Sequence, residues 1–171
     1  MKVPDIQIRG ESPHDASAIY RVTTAAFLDA PHTSHTEQFI VGALRKAGQL
    51  TVSMVATHDE EVVGHVAVSP VLISGKDHGW HGLGPVSVLP SYQGRGIGSA
   101  LVMEALLVLS SSGAAGCVVV GDPAYYERFG FRADAALKLP GVAPEYFMAV
   151  AFDTPAPAGV VSYHEAFNAR S

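Results

Sequence analysis

The chain has 171 residues, 48% of them hydrophobic and only 16% charged. That length fits one domain with its own core, and the composition excludes a disordered chain, a coiled coil and a polybasic nucleic-acid binder. With 11 basic and 16 acidic residues the net charge is −5, a mildly acidic balance that disfavours polyanions. A single cysteine, Cys117, excludes an intrachain disulfide and fits a reducing compartment. No apolar run reaches the roughly 20 residues of a membrane span, and the first residues lack the apolar stretch of a signal peptide. No membrane association and a cytoplasmic location are therefore expected.

Residues 6–9 alternate and predict a short strand. Ser12-Pro13-His14-Asp15 opens a helix with Ile19, Val22, Ala26 and Phe27 on one side, ended by Pro31. A second amphipathic helix is predicted over 35–47, with Phe39, Ile40, Ala43 and Leu44 inward and Gly48 as its stop. Runs 51–57 and 62–73 form a hairpin turned at Asp59-Glu60-Glu61. A third run covers 80–89, and Pro85 within it marks an edge or a bulge, because proline cannot donate a ladder hydrogen bond.

The helix over 96–110 is apolar nearly all round, so most of its surface is expected to be covered. Cys117 to Val120 is a fully apolar strand, which makes strand, helix and strand a parallel crossover. A short helix at 124–129 stops at Gly130. Strands follow at Phe131 and over 146–152. The tail 160–167 is a last strand or a docking segment.

The informative segment is Val86-Ser87-Val88-Leu89-Pro90-Ser91-Tyr92-Gln93-Gly94-Arg95-Gly96-Ile97-Gly98-Ser99. A strand runs into three glycines at alternate positions and then into a helix. Glycine lets backbone approach a ligand closely, and the free N–H groups of a helix's first turn attract phosphate. Arg95 adds positive charge. The chemistry implied is pyrophosphate binding; the competing reading is a tight turn with no ligand. A nicotinamide-type turn needs a third glycine where Ser99 stands, and a Walker-type loop needs Gly-Lys-Ser/Thr.

These residues resemble motif A of the GNAT N-acetyltransferases, with Gln93-Gly94-Arg95-Gly96-Ile97-Gly98 as its signature. The family's next motif, a tyrosine followed by Gly-Phe, resembles Tyr125-Tyr126-Glu127-Arg128-Phe129-Gly130-Phe131. The resemblance covers residues 1–152 as an acyltransferase domain and leaves 153–171 as an extension: an extra strand, a cover over the site or a homodimer contact. It implies a GNAT fold of the α/β (α+β) class, a mixed, mostly antiparallel sheet with a splayed parallel β-α-β centre flanked by helices. It also implies an N-acyltransferase that moves an acetyl group from acetyl-CoA, or another acyl-CoA, to a primary amine by direct attack. The acceptor is a small molecule or a protein. The alternative is a non-catalytic acyl-CoA-binding or sensing domain.

By the same resemblance, Val86, Ser87 and Val88 hold the pantetheine arm through backbone groups. Gln93, Gly94, Arg95, Gly96, Ile97, Gly98 and Ser99 hold the pyrophosphate. Tyr126 protonates the departing thiolate, and the competing reading makes it a core aromatic beside Phe129 and Phe131. Tyr125 reads as packing and Asp122 as the cap of the short helix. The base is sought among Glu37, His35, His32, His65 and His81. Glu37 is the candidate for catalysis, against its plainer reading as a helix-start carboxylate. His65 also reads as a hydrogen-bonded core histidine. The pairs His32/His35 and His78/His81 lack a supporting cysteine cluster, so no metal is expected. The acceptor pocket is expected between residues 32–38 and 139–144.

Overall fold

The computed structural model describes residues 5–31 and 33–171. Among them, nine strands form a mixed sheet: β1 Gln7–Gly10, β2 Val52–His58, β3 Glu61–Ile73, β4 Trp80–Val88, β5 Gly116–Val120, β6 Arg132–Ala133, β7 Leu137–Lys138, β8 Phe147–Ala151 and β9 Gly159–Tyr163. The main path runs β1-β2-β3-β4-β5-β8-β6, and β9 pairs with the far end of β3 and with β7. Only β4–β5 and β7–β9 are parallel pairs. The helix between β4 and β5 supplies the expected crossover.

The helices are α1 Ala16–Phe27, α2 Glu37–Lys46, α3 Ile97–Ser111 and the single turn α4 Pro123–Tyr126. α1 is preceded by a tight turn at Pro13–Asp15, where the Ser12 N–H donates to the Asp15 carboxylate at 2.7 Å. It ends at Phe27, short of Pro31. α2 starts at Glu37 rather than 35, because His35 sits at φ 58, a left-handed conformation that a helix cannot incorporate. β2 and β3 are joined by a two-residue turn with Asp59 and Glu60 both at positive φ.

One face of the sheet carries α3. Its Ile97, Leu101, Val102, Ala105 and Leu109 are buried against Val66, Val68, Leu83, Cys117 and Val119. Each such side chain contributes about 1.5–3 kcal/mol of burial. The rest of α3 does not follow the expectation of a covered helix. Met103 and Leu107 are each 58% exposed, and no described element packs over that outer stripe. The other face carries α1 and α2, through Ile19 and Val41 on Val55. β9 closes a second core in which Val161 joins Val71, Trp80, Val118 and Phe147.

Candidate active site

The site begins where two strands part. β4 pairs with β5 at Trp80, His81 and Gly82, opposite Gly116, Cys117 and Val118, and nowhere further. β4 then continues to Val88 and β5 to Val120 without meeting. The parting coincides with a bulge. Val68 faces Leu83 and Val66 faces Val86, so two residues of β4, Gly84 and Pro85, oppose the single Ala67 of β3. The Gly84–Pro85 peptide is cis. The β4 edge from Leu83 to Val88 therefore presents backbone groups to an open cleft, the arrangement an extended amide-bearing ligand can join as an added strand. Val86 and Val88 are half-buried in the α3-side core; the Ser87 side chain is buried on the other face. Ser87 can reach a ligand in the cleft only through its backbone.

β4 leads directly into the glycine turn. Pro90–Tyr92 makes one tight turn, and the Gln93 amide donates to the Val88 carbonyl at 3.0 Å. Gly94 has φ 77 and Gly96, the residue capping α3, has φ 84. Both conformations are costly for any side chain, and a methyl group added at either would meet nothing within 4 Å. The turn is thus shaped by backbone demand and left open on its outer side. It walls a cavity of about 410 Å³ with Val88, Ile97, Gly98 and Ser99. The N–H groups of Ile97, Gly98 and Ser99 lie in the first turn of α3, where a helix leaves its donors unpaired, and these residues line this space, as an anion site requires.

Two residues of the short helix complete the cavity beyond the sequence reading. The Tyr125 hydroxyl lies 2.8 Å from Ser99 Oγ, and Arg128 lies over the Tyr125 ring at 4.5 Å while its Nε donates to the Tyr125 carbonyl at 2.8 Å. The arginine is held beside the turn rather than swinging free. Its sequence signal was a cation three residues after an aromatic on a helical turn. Arg95 instead stacks over Tyr92, 5.3 Å from the ring centre, and is not among the cavity's lining residues.

Tyr126 sits at the open end of β5. Its ring packs on Gly121, so closely that any Cβ there would collide, and stands edge-on to Phe131 at 6.0 Å. Burial, with a smaller effect from Tyr125, pushes its phenol up to about 12. The group stays protonated at neutral pH. It lines neither the glycine-turn cavity nor the second cavity described next. Asp122 caps this helix, accepting from the Ala124 N–H at 3.0 Å.

A second cavity of about 410 Å³ opens on the bulge itself, at Leu83, Gly84 and Pro85. Its far walls come from α1 (Phe27), α2 (Glu37 and Ile40), the 133–147 segment (Leu139) and the tail (Tyr163 and Phe167). Glu37 is its one charged lining residue among the described residues. The Glu37 carboxylate is anchored by the Thr33 hydroxyl at 2.7 Å and by the Ser34 hydroxyl at 3.2 Å. The structure thus brings Glu37 to the bulge; Tyr126 stands across the cleft on the β5 side.

The histidine candidates fall elsewhere. His35 is exposed and lines no described cavity; His32 lies outside the described residues. His65 is fully buried beneath α1 and α2. The Ser53 hydroxyl donates to Glu11, so the His65 Nε2–H donates to Ser53 at 2.8 Å. Glu11 is in turn clamped by Arg45 at 2.7 and 2.9 Å. Burial depresses His65 to about 4, so it is a neutral core histidine. His81 is half-buried and depressed by the same cause. Burial raises the Cys117 thiol far above its ordinary range, which leaves it inert strand core. Among the described residues no group of three or more His, Cys, Asp or Glu could hold a metal ion, and no helix is long and apolar enough to cross a membrane.

Known proteins share this architecture and sequence. The sequence profile of the Acetyltransferase (GNAT) domain matches residues 49–133. The Escherichia coli K12 protein named uncharacterized N-acetyltransferase YhbS is 39% identical over 168 residues, covering 94% of this chain and 98% of the relative. A crystal structure of a GNAT family acetyltransferase from Brucella melitensis, in complex with acetyl-CoA, is 49% identical with a TM-score of 0.86, over 95% of this chain and 97% of that one. The Escherichia coli YhbS structure in complex with CoA is 38% identical with a TM-score of 0.88, over 98% and 94%. Similarity over nearly the whole length of these chains, on a mixed sheet that splays at its parallel centre, makes the chain a member of the GNAT acetyltransferase family.

Proposed function

We propose that the protein transfers an acetyl group from acetyl-CoA to a primary amine. The observation that carries this reading is continuity. The unpaired β4 edge runs without interruption from the bulge, where the Glu37 cavity opens, to the glycine turn at the start of α3. One extended ligand with a pyrophosphate at one end and a thioester at the other fits that path. The acetyl-CoA and CoA complexes of the two similar structures support it. Acetyl-CoA supplies an activated acyl carbon, and the protein residues do the rest.

Gly94, Gly96 and the α3 N-terminus hold the diphosphate, with Arg128 beside them. Backbone groups of Val86, Ser87 and Val88 hold the amide-bearing arm. Glu37 accepts the proton that an ammonium group must lose before its nitrogen lone pair attacks the thioester carbonyl. A new C–N bond forms, the C–S bond breaks, and Tyr126 donates its phenolic proton to the leaving thiolate. A phenol held near 12 is a weaker acid than a thiol of pKa about 8.5, so its proton passes to sulfur only as the C–S bond breaks and the resulting phenolate takes the second proton of the former amine nitrogen. The tail residues Tyr163 and Phe167 belong to the acceptor wall.

Calorimetry with CoA, NAD and ATP, paired with thiol release from acetyl-CoA across an amine library, tests the reading. CoA alone should bind, and an amine should release thiol in stoichiometry with its acetylation. CoA binding without transfer to any amine would point to a binding or sensing module instead.

A further inference from the structure

Resting on the N-acetyltransferase reading, we infer that the acceptor is a primary amine on an apolar body, an alkylamine or arylalkylamine, and that Leu139 sets this preference. The cavity at the bulge has walls of Phe27, Ile40, Leu139 and Phe167 around the single carboxylate of Glu37. One ammonium has a partner there. A second ammonium lodged inside this cavity, as in a short diamine, would face aromatic and aliphatic carbon with no counter-charge, which is strongly unfavourable away from water. A lysine stem also fits apolar walls, but its peptide amides would be carried against those same side chains.

The apolar surface also continues past the carboxylate. Leu139 lines both this cavity and a neighbouring one of about 650 Å³ that includes Val142 and Phe147. Val120, on the wall of the first cavity, is the register partner of Phe147 in the second. A chain longer than the first cavity therefore meets further apolar wall. The second cavity also carries Asp134, Lys138 and Glu145, so a long polyamine would find counter-charge there and the exclusion applies to short diamines. Neither apolar cavity shares a lining residue with the glycine-turn cavity, so acceptor preference can change without touching the diphosphate site.

The test measures thiol release at saturating acetyl-CoA for butylamine, hexylamine, octylamine and 2-phenylethylamine against putrescine and a blocked lysine peptide. kcat/KM should rise roughly threefold to fourfold per methylene along the alkyl series, in proportion to the area buried. The hydrophilic amines should lie at least about tenfold below hexylamine. Leu139→Asn should flatten the series while CoA affinity by calorimetry stays within twofold. A flat series in the parent protein, or a preference for putrescine or the lysine peptide, overturns the inference and leaves acetyl transfer standing. CoA binding with no thiol release for any amine overturns the transferase reading and the inference with it.

Discussion

The two cavities at the two ends of the unpaired β4 edge have equal volumes, about 410 Å³ each, and opposite construction. The one at the glycine turn is made by eight residues that lie between Val88 and Ser99, plus two from the following short helix. Its working parts are backbone N–H groups, and its special requirements are two positive-φ glycines. The one at the bulge is assembled from α1, α2, β4, β5, the 133–147 segment and the tail, and its working parts are side chains. A backbone-built site serves one invariant chemical group, such as a diphosphate, and tolerates little change. A side-chain-built site can be re-lined one residue at a time without disturbing the fold.

The sharpest way to break this division is at the seam between the two sides. Tyr126→Phe should lower kcat by about a hundredfold or more, the scale of a lost general acid. CoA affinity should be unchanged, because the phenol lies outside the glycine-turn cavity. Unchanged turnover would reduce Tyr126 to an aromatic packed on Gly121.

Gly96→Val comes next. A β-branched residue at φ 84 costs about 1–2 kcal/mol and tilts the first N–H groups of α3 away from the ligand. CoA should bind roughly fivefold to thirtyfold more weakly by calorimetry. Normal CoA affinity would mean that the turn's backbone does not carry the diphosphate.

On the acceptor side, Glu37→Gln should lower kcat/KM about tenfold near neutral pH with CoA affinity intact. The deficit should shrink as pH rises toward the amine's own pKa, where the nucleophile no longer needs a base. A deficit that is constant with pH would assign Glu37 only to the start of α2.

The smallest effect on activity is expected from the polar row beneath α1 and α2, whose readout is stability instead. The unfolded chain takes up a proton on His65 near pH 6.5, and the folded protein refuses it until about 4. Between those values the unfolded state binds more protons, so stability is complete above pH 6.5 and falls as pH drops toward 4. The loss is at most about 3 kcal/mol. His65→Phe should remove most of the slope between pH 6.5 and 5.5 in urea denaturation, leaving the smaller share of His81, which burial also depresses. An unaltered slope would place the acid sensitivity elsewhere.

Much of the cofactor side was legible in the residues. Gln93 to Gly98 announced a turn with special backbone needs, Pro85 announced an irregular β4, and the apolar run at Cys117 announced a buried parallel strand. Arg128 and the Tyr125–Ser99 contact were not legible, because they depend on how α4 is laid across the start of α3. The outer stripe of α3 was misjudged for a related reason. Met103 and Leu107 are as apolar as Leu101 and Leu109, and only the placement of neighbours leaves them exposed.

Sequence by itself determined what is local: where backbone must take positive φ, where a helix must start straight out of a glycine turn, and where a proline must interrupt a ladder. Those demands act on consecutive residues, so they leave a readable spacing. Tertiary structure decided what is assembled from distant segments. It brought Glu37, Leu139 and Phe167 around one bulge, set Glu11 and Arg45 against a buried His65, and made β9 part of the sheet. None of these residues is bound to its partners by spacing. Each is where it is because a sheet edge, a helix face and a tail had apolar surface to bury against one another.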